Sequence, residues 1–138
     1  MSNKTITIKG GLGNQLFQYA HGLKLSLIDK KDVIFDISFF DNVGKDTHRP
    51  FLLDKFNIDT SARFTEAHTG VLTKLMQKIL SKLTGEYGFY QKESYVSPVI
   101  EEIRKQYTLK NPLSSASQSI ADQITSTVHG VSIHIRRG

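Results

Sequence analysis

Ile6 and Ile8 alternate with polar neighbours, and the period then changes across Gly10, Gly11 and Gly13. From Asn14 onward Leu16, Phe17, Ala20, Leu23 and Leu27 recur at helical spacing. The pattern predicts a strand, a bare glycine turn and a helix capped by Asn14, whose side-chain oxygen suits a first-turn amide. Three glycines in four positions let backbone approach a neighbour closely. Val33 to Phe40, VIFDISFF, reads as a second strand, being β-branched and aromatic. Asp41 to Pro50 reads as a loop, followed by an apolar knot in which Leu52, Leu53 and Phe56 predict a short helical turn.

The most periodic helix in the sequence is Thr69 to Thr84, with Leu72, Leu75, Met76, Ile79 and Leu83 in one stripe. Ser97-Pro98 reads as a cap and first-turn proline for a helix to Tyr107, with Val99, Ile103 and Tyr107 aligned. Leu113 to Ser119 is serine-rich and reads as a loop or linker; Ile120, Ala121 and Ile124 suggest a short helix. Val131, Ile133 and Ile135 alternate with Ser132 and His134, predicting a strand that delivers Arg136-Arg137-Gly138. Helices separating strands, with no hairpin signal, indicate an α/β fold with a mostly parallel sheet.

The glycine turn departs from two familiar phosphate-binding patterns. A dinucleotide fingerprint would need a third glycine where Leu16 stands, and a P-loop needs Gly-Lys-Ser/Thr where Asn14-Gln15 follows. A tight turn without a ligand accounts for the glycines, as does a ligand-holding helix start offering the amides of Asn14 and Gln15. Asp36 lies 23 residues beyond Gly13, a ribose-acid distance, but without the fingerprint it reads as a strand-end or turn residue.

Composition narrows the partners. With 138 residues and 38% apolar content the chain can bury a single core, and with no cysteine it has neither disulfides nor a thiolate site. Neither a signal-peptide core nor a run of the ~20 apolar residues needed to span a bilayer is visible, so a cytoplasmic location is expected. A net charge of +5 favours anionic partners such as a nucleotide or a phosphorylated sugar. The basic residues are spread out rather than clustered, which argues against nucleic acid. Lys74, Lys78 and Lys82 step along one side of the 69–84 helix, a solvated face or one that rests peripherally on anionic lipid at the inner membrane surface. His48 and Arg49 read as either solvated or cleft-facing loop residues.

His-Ile-Arg-Arg-Gly on a parallel strand tip would sit at the edge where open α/β sheets bind ligands. Two guanidiniums beside a glycine suit a phosphate, although such a basic pair can also be merely solvated. GGLGNQLFQYAHGLKL, RPFLLDKFNI, GFYQKESY and VSIHIRRG, in this order, resemble the α-1,2-fucosyltransferases of glycosyltransferase family eleven. The resemblance implies a Rossmann-like open sheet forming the N-terminal half of a GT-B fold. It implies inverting, metal-independent transfer of fucose from GDP-β-L-fucose to the 2-hydroxyl of a terminal galactose, with no cofactor.

In related fucosyltransferases a His-x-Arg-Arg-x-Asp motif grips the donor diphosphate, which corresponds to His134, Arg136 and Arg137 here. Arg136 is then expected as the main diphosphate contact and Arg137 as its support, whereas His134 is either a substrate contact or a structural histidine. Gly11, Gly13, Asn14 and Gln15 are expected to face the same cleft. The motif's aspartate would fall after Gly138. Residues 1–128 are accordingly expected to form the acceptor-side domain and 129–138 the first strand of a donor domain, a fragment inactive by itself. The alternatives are a non-catalytic nucleotide-sugar or glycan-binding piece and a GT-B transferase with a different acceptor. Asp36, Asp54 and Glu93 are carboxylates in family-like segments, and nothing in their spacing selects a catalytic base.

Overall fold

A computed structural model describes residues 4–41, 49–58, 64–65, 79, 88–131 and 133. Strand β1 (Lys4–Thr7), helix α1 (Leu12–Leu27), strand β2 (Val33–Asp36) and strand β3 (Phe64–Thr65) form an α/β unit with three parallel strands in the order β1-β2-β3. Ile6 pairs with Phe35, and Phe35 pairs with Phe64. Parallel pairing brings the C-terminal ends of β1 and β2 to one edge of the sheet, the edge from which the glycine turn departs.

Ile6, Ile8, Val33 and Phe35 carry the sheet's contribution to the core, and α1 covers it through Tyr19, Ala20 and Leu23. Tyr19 stacks among Phe35, Phe64 and Tyr107, with ring centroids 5.1, 6.0 and 6.3 Å away. The buried face of α1 matches the predicted apolar stripe only in part: Ala20 and Leu23 are buried and Leu16 packs against the core. Leu27 is 41% exposed, Leu16 and Phe17 are half-buried, and Gln15 and Gln18 are completely buried. Helix α1 also starts earlier than expected. Gly11 is its N-cap, without a side-chain cap, and Asn14 stands in the first turn rather than at the cap.

The second strand is shorter than its apolar run. Asp36 ends it by accepting the Ser38 N–H on its side chain at 3.0 Å, and a 3₁₀ turn, Ser38–Phe40, follows. The turn predicted around Leu53 is present as Leu53–Lys55, with Leu53 fully buried.

Helix α2 (Glu93–Val96) leads through a 3₁₀ turn, Ser97–Val99, into α3 (Ile100–Gln106). Helical backbone therefore begins before Ser97, which is the C-cap of α2, its N–H donating to the Glu93 carbonyl, rather than an N-cap. Val99 and Ile103 reach the core as expected. An antiparallel bridge between Phe56 and Leu109 ties the end of this helical segment to the loop of residues 49–58.

Helix α4 (Ser115–Ser126) corrects the reading of the serine-rich stretch as a loop. Ser114 caps it by accepting the Ser117 N–H at 3.2 Å. No residue of this helix is buried. Of the stretch Val131 to Ile135 expected as a strand, only Val131 and Ile133 are described, and they are 87% and 78% exposed. Ser132, His134, Arg136, Arg137 and Gly138 lie outside the described residues, as do His48 and, apart from Ile79, the helix expected over residues 69–84.

Candidate functional site at the glycine turn

Lys9 leaves β1 and Gly10 turns the chain with φ +79°, a conformation that L side chains resist. Gly11 then caps α1. A Cβ on Gly11 would lie 3.1 Å from a guanidinium nitrogen of Arg49, so the bare glycine gives that cation room to lie close over the turn. Gly13 has open space above it: a Cβ there would meet nothing within 4 Å. The three glycines thus have different duties: backbone conformation at Gly10, close approach at Gly11, and an uncovered surface at Gly13.

Gln15 is 0% exposed and its carboxamide is engaged on both ends. Its Nε2 donates to the carbonyls of Gly10 and Pro50, each at 2.9 Å, and its Oε1 accepts the Leu52 N–H at 2.9 Å. Gln15 therefore bolts the turn to the loop that carries Arg49, and its amide faces backbone rather than a cleft. Gln18, also fully buried, accepts the Lys9 N–H at 2.8 Å, while its Nε2 has no partner among the described residues.

Asn14 is only half-buried, and its side-chain oxygen accepts from Gln91 Nε2 at 2.7 Å. Phe89 approaches from the same segment: its ring edge would lie 3.5 Å from a Cβ on Gly10, and the Lys9 ammonium stands 5.5 Å from its ring centroid. Lys9, the glycine turn, Asn14, Arg49, Phe89 and Gln91 therefore share one surface at the sheet's C-terminal edge.

The electrostatics of that surface are one-sided. Helix α1 carries no acidic residue in its first turn and no side-chain cap, which leaves its positive end uncompensated. Arg49 is exposed and forms no ion pair among the described residues. Such an arrangement can hold an anion. The nearby carboxylate of Asp36 is spent on the Ser38 N–H, Asp54 pairs with Lys55 at 3.0 Å, and Glu93 is exposed at the start of α2. None of the three is placed as a base by these contacts. Among the described residues, no three His, Asp or Glu side chains gather as metal ligands.

Sequence reasoning singled out Gly11, Gly13, Asn14 and Gln15, and the structure brings all four to the turn. Arg49 joins them, exposed and close to Gly11. Gln18, Phe89 and Gln91 lie within the family-like segments and Lys9 just before the first, but nothing in the sequence assigns them a role at the turn. Their place follows from tertiary contacts across as many as 77 residues.

Comparison with known proteins adds an independent observation. The whole chain aligns with an α-1,2-colitosyltransferase of Escherichia coli at 27% identity over 164 positions, covering 55% of that protein. A stretch of 53 residues, 37% of the chain, is 45% identical to the O-antigen biosynthesis glycosyltransferase WbnK of Escherichia coli and covers 18% of it. The chain is a distant homologue of glycosyltransferases. It spans about half the length of the colitosyltransferase. No family model matches the chain, and no solved structure does.

Proposed function

We propose that this chain is the N-terminal, acceptor-side part of a GT-B α-1,2-glycosyltransferase that inverts configuration at the transferred sugar. The donor is GDP-β-L-fucose and the acceptor the 2-hydroxyl of a terminal galactose in a glycan. The observation that carries the reading is similarity along the whole of this chain to 55% of an α-1,2-colitosyltransferase, joined to a cationic glycine turn at the C-terminal edge of a parallel sheet.

The acceptor oxygen attacks the anomeric carbon as the bond to the diphosphate breaks, and negative charge builds on the departing phosphate oxygens. Fixed cations lower that barrier by being in place before the charge develops. Arg136 is assigned as the principal diphosphate contact, with Arg137 and His134 beside it. Gly11, Gly13 and Asn14 supply the opposite wall, and Gln15 holds that wall in shape. The mechanism draws on no metal and no cofactor.

The test is a transfer assay with GDP-fucose and lactose on the protein expressed from its own reading frame, followed by linkage analysis. An α-1,2-fucosyl galactoside supports the reading. The same linkage made only from a colitosyl donor would move the specificity to that of the E. coli relative. GDP binding without transfer would favour a non-catalytic module.

A further inference from the structure

Arg49 opens the RPFLLDKFNI segment, and it is its surroundings that assign it a role. Its guanidinium lies against Gly11, where a Cβ would stand 3.1 Å from it, closer than an ordinary contact. No carboxylate neutralises it among the described residues, although its charge is exposed. Nor is the loop left to wander there. The residue after Arg49 gives its carbonyl to Gln15, and Leu52 gives its N–H to the same carboxamide. A fully buried side chain thus spends its hydrogen bonds on placing one arginine over one glycine.

We propose that Arg49 binds the diphosphate of a nucleoside-diphosphate donor, and that Gln15 is its positioning residue. This rests on the transferase reading for the class of ligand. A galactose-terminated acceptor is a neutral polyol and gives an unpaired guanidinium no charge to meet, whereas a diphosphate presents paired anionic oxygens that a forked donor matches. The Lys9 ammonium on the same surface adds to the attraction.

Calorimetric titration with GDP tests the assignment, using the wild-type chain and the variants Arg49→Gln, Arg49→Lys and Gln15→Leu. Arg104→Gln serves as a control, because Arg104 pairs with Glu101 on the exposed side of α3. Arg49→Gln is expected to weaken GDP about tenfold or more with an unchanged melting temperature, the loss typical of a charge-assisted contact. Arg49→Lys should fall between, and Arg104→Gln should bind as wild type does.

If Gln15 acts through Arg49, a double variant carrying Gln15→Leu and Arg49→Gln binds GDP no more weakly than Arg49→Gln alone; independent, additive losses would remove Gln15 from that role. Should Gln15→Leu not fold, the two Arg49 variants still decide the binding assignment. Undiminished GDP binding by Arg49→Gln, or no GDP binding by the wild-type chain, overturns it. The outcomes separate from those of the transfer assay. Fucosyl transfer that survives Arg49→Gln intact sinks this assignment and spares the function, whereas Arg49-dependent GDP binding without any transfer does the reverse.

Discussion

Phe35 occupies the space that a side chain on Gly22 would need. A Cβ on Gly22 would fall 2.3 Å from the ring's Cε1 and 2.5 Å from Cζ, with Val33 Cγ1 at 3.3 Å. This is where α1 sits down on β2, and it fixes how far the helix N-terminus stands from the sheet edge. The close helix–strand contact that dinucleotide folds make with a glycine in the turn is made here two helical turns further on.

Gly22→Ala should therefore destabilise the fold even though alanine is the better helix former. Phe35 is packed against Tyr19 and Phe64 and has little room to give. Overpacking a filled site costs about 1–3 kcal/mol, which outweighs the roughly 1 kcal/mol gained in helix propensity. Urea unfolding should show a lower midpoint with an unchanged slope. A variant as stable as wild type would mean that α1 can lift from β2 without cost.

The glycines of the turn should divide by sign. Gly10→Ala forces a left-handed backbone at φ +79° on a residue with a side chain, at a cost of about 1–2 kcal/mol. Gly13→Ala meets open space within α1 and should be neutral or stabilising by up to about 1 kcal/mol. Thermal melts of the two variants should move in opposite directions or, at the least, only Gly10→Ala should fall. Equal losses would show that the turn has no position-specific geometry.

The division between what the sequence reveals and what it hides runs along these same residues. Ile6 and Ile8 on one side of a strand, and the run Val33–Asp36, are legible because alternation and β-branching reflect burial directly. The buried face of α1 is legible only in part, because Gln15 and Gln18 are buried for their hydrogen bonds to the turn and the Pro50 loop. A count of apolar side chains assigns them to solvent. Helix α4 is hidden for the opposite reason: it buries nothing, so its only local signal is the Ser114 cap. At the site, the glycines are visible as a cluster in sequence, whereas Arg49 and Gln91 reach them from separate segments. Only the folded chain shows that proximity.

Tyr107 provides a handle on alkaline stability. Its hydroxyl donates to the Leu16 carbonyl, linking the end of α3 to the first half of α1. Burial, reinforced by the nearby Tyr19, pushes its phenol well above the ordinary value of 10.0. The folded state thus prefers the neutral phenol more than the unfolded chain does. Its contribution to stability is complete below pH 10.0 and is lost as pH rises from there toward the raised folded value. Tyr107→Phe should cost about 0.5–1.5 kcal/mol near neutrality. It should also flatten the decline in stability above pH 10.0, measured by urea midpoints across the alkaline range. A decline as steep as wild type would assign the alkaline loss to other groups.

Arg136 offers the sharpest test of the chemistry, because the substitution keeps its charge. Lysine preserves one positive charge but presents it as a point, without the two parallel N–H groups that match paired phosphate oxygens. If Arg136 stabilises the departing diphosphate, Arg136→Lys in the protein expressed from its own reading frame should lower kcat/KM for fucosyl transfer by about 100-fold or more, the range seen when a preorganised anion-stabilising donor is lost. The loss should fall on kcat rather than on KM, since the charge it meets is greatest as the sugar–oxygen bond breaks. A variant with wild-type kcat and a raised KM would reduce Arg136 to a ground-state binding contact. Wild-type kinetics throughout would remove it from the mechanism and shift the task of holding the diphosphate to the cations at the glycine turn.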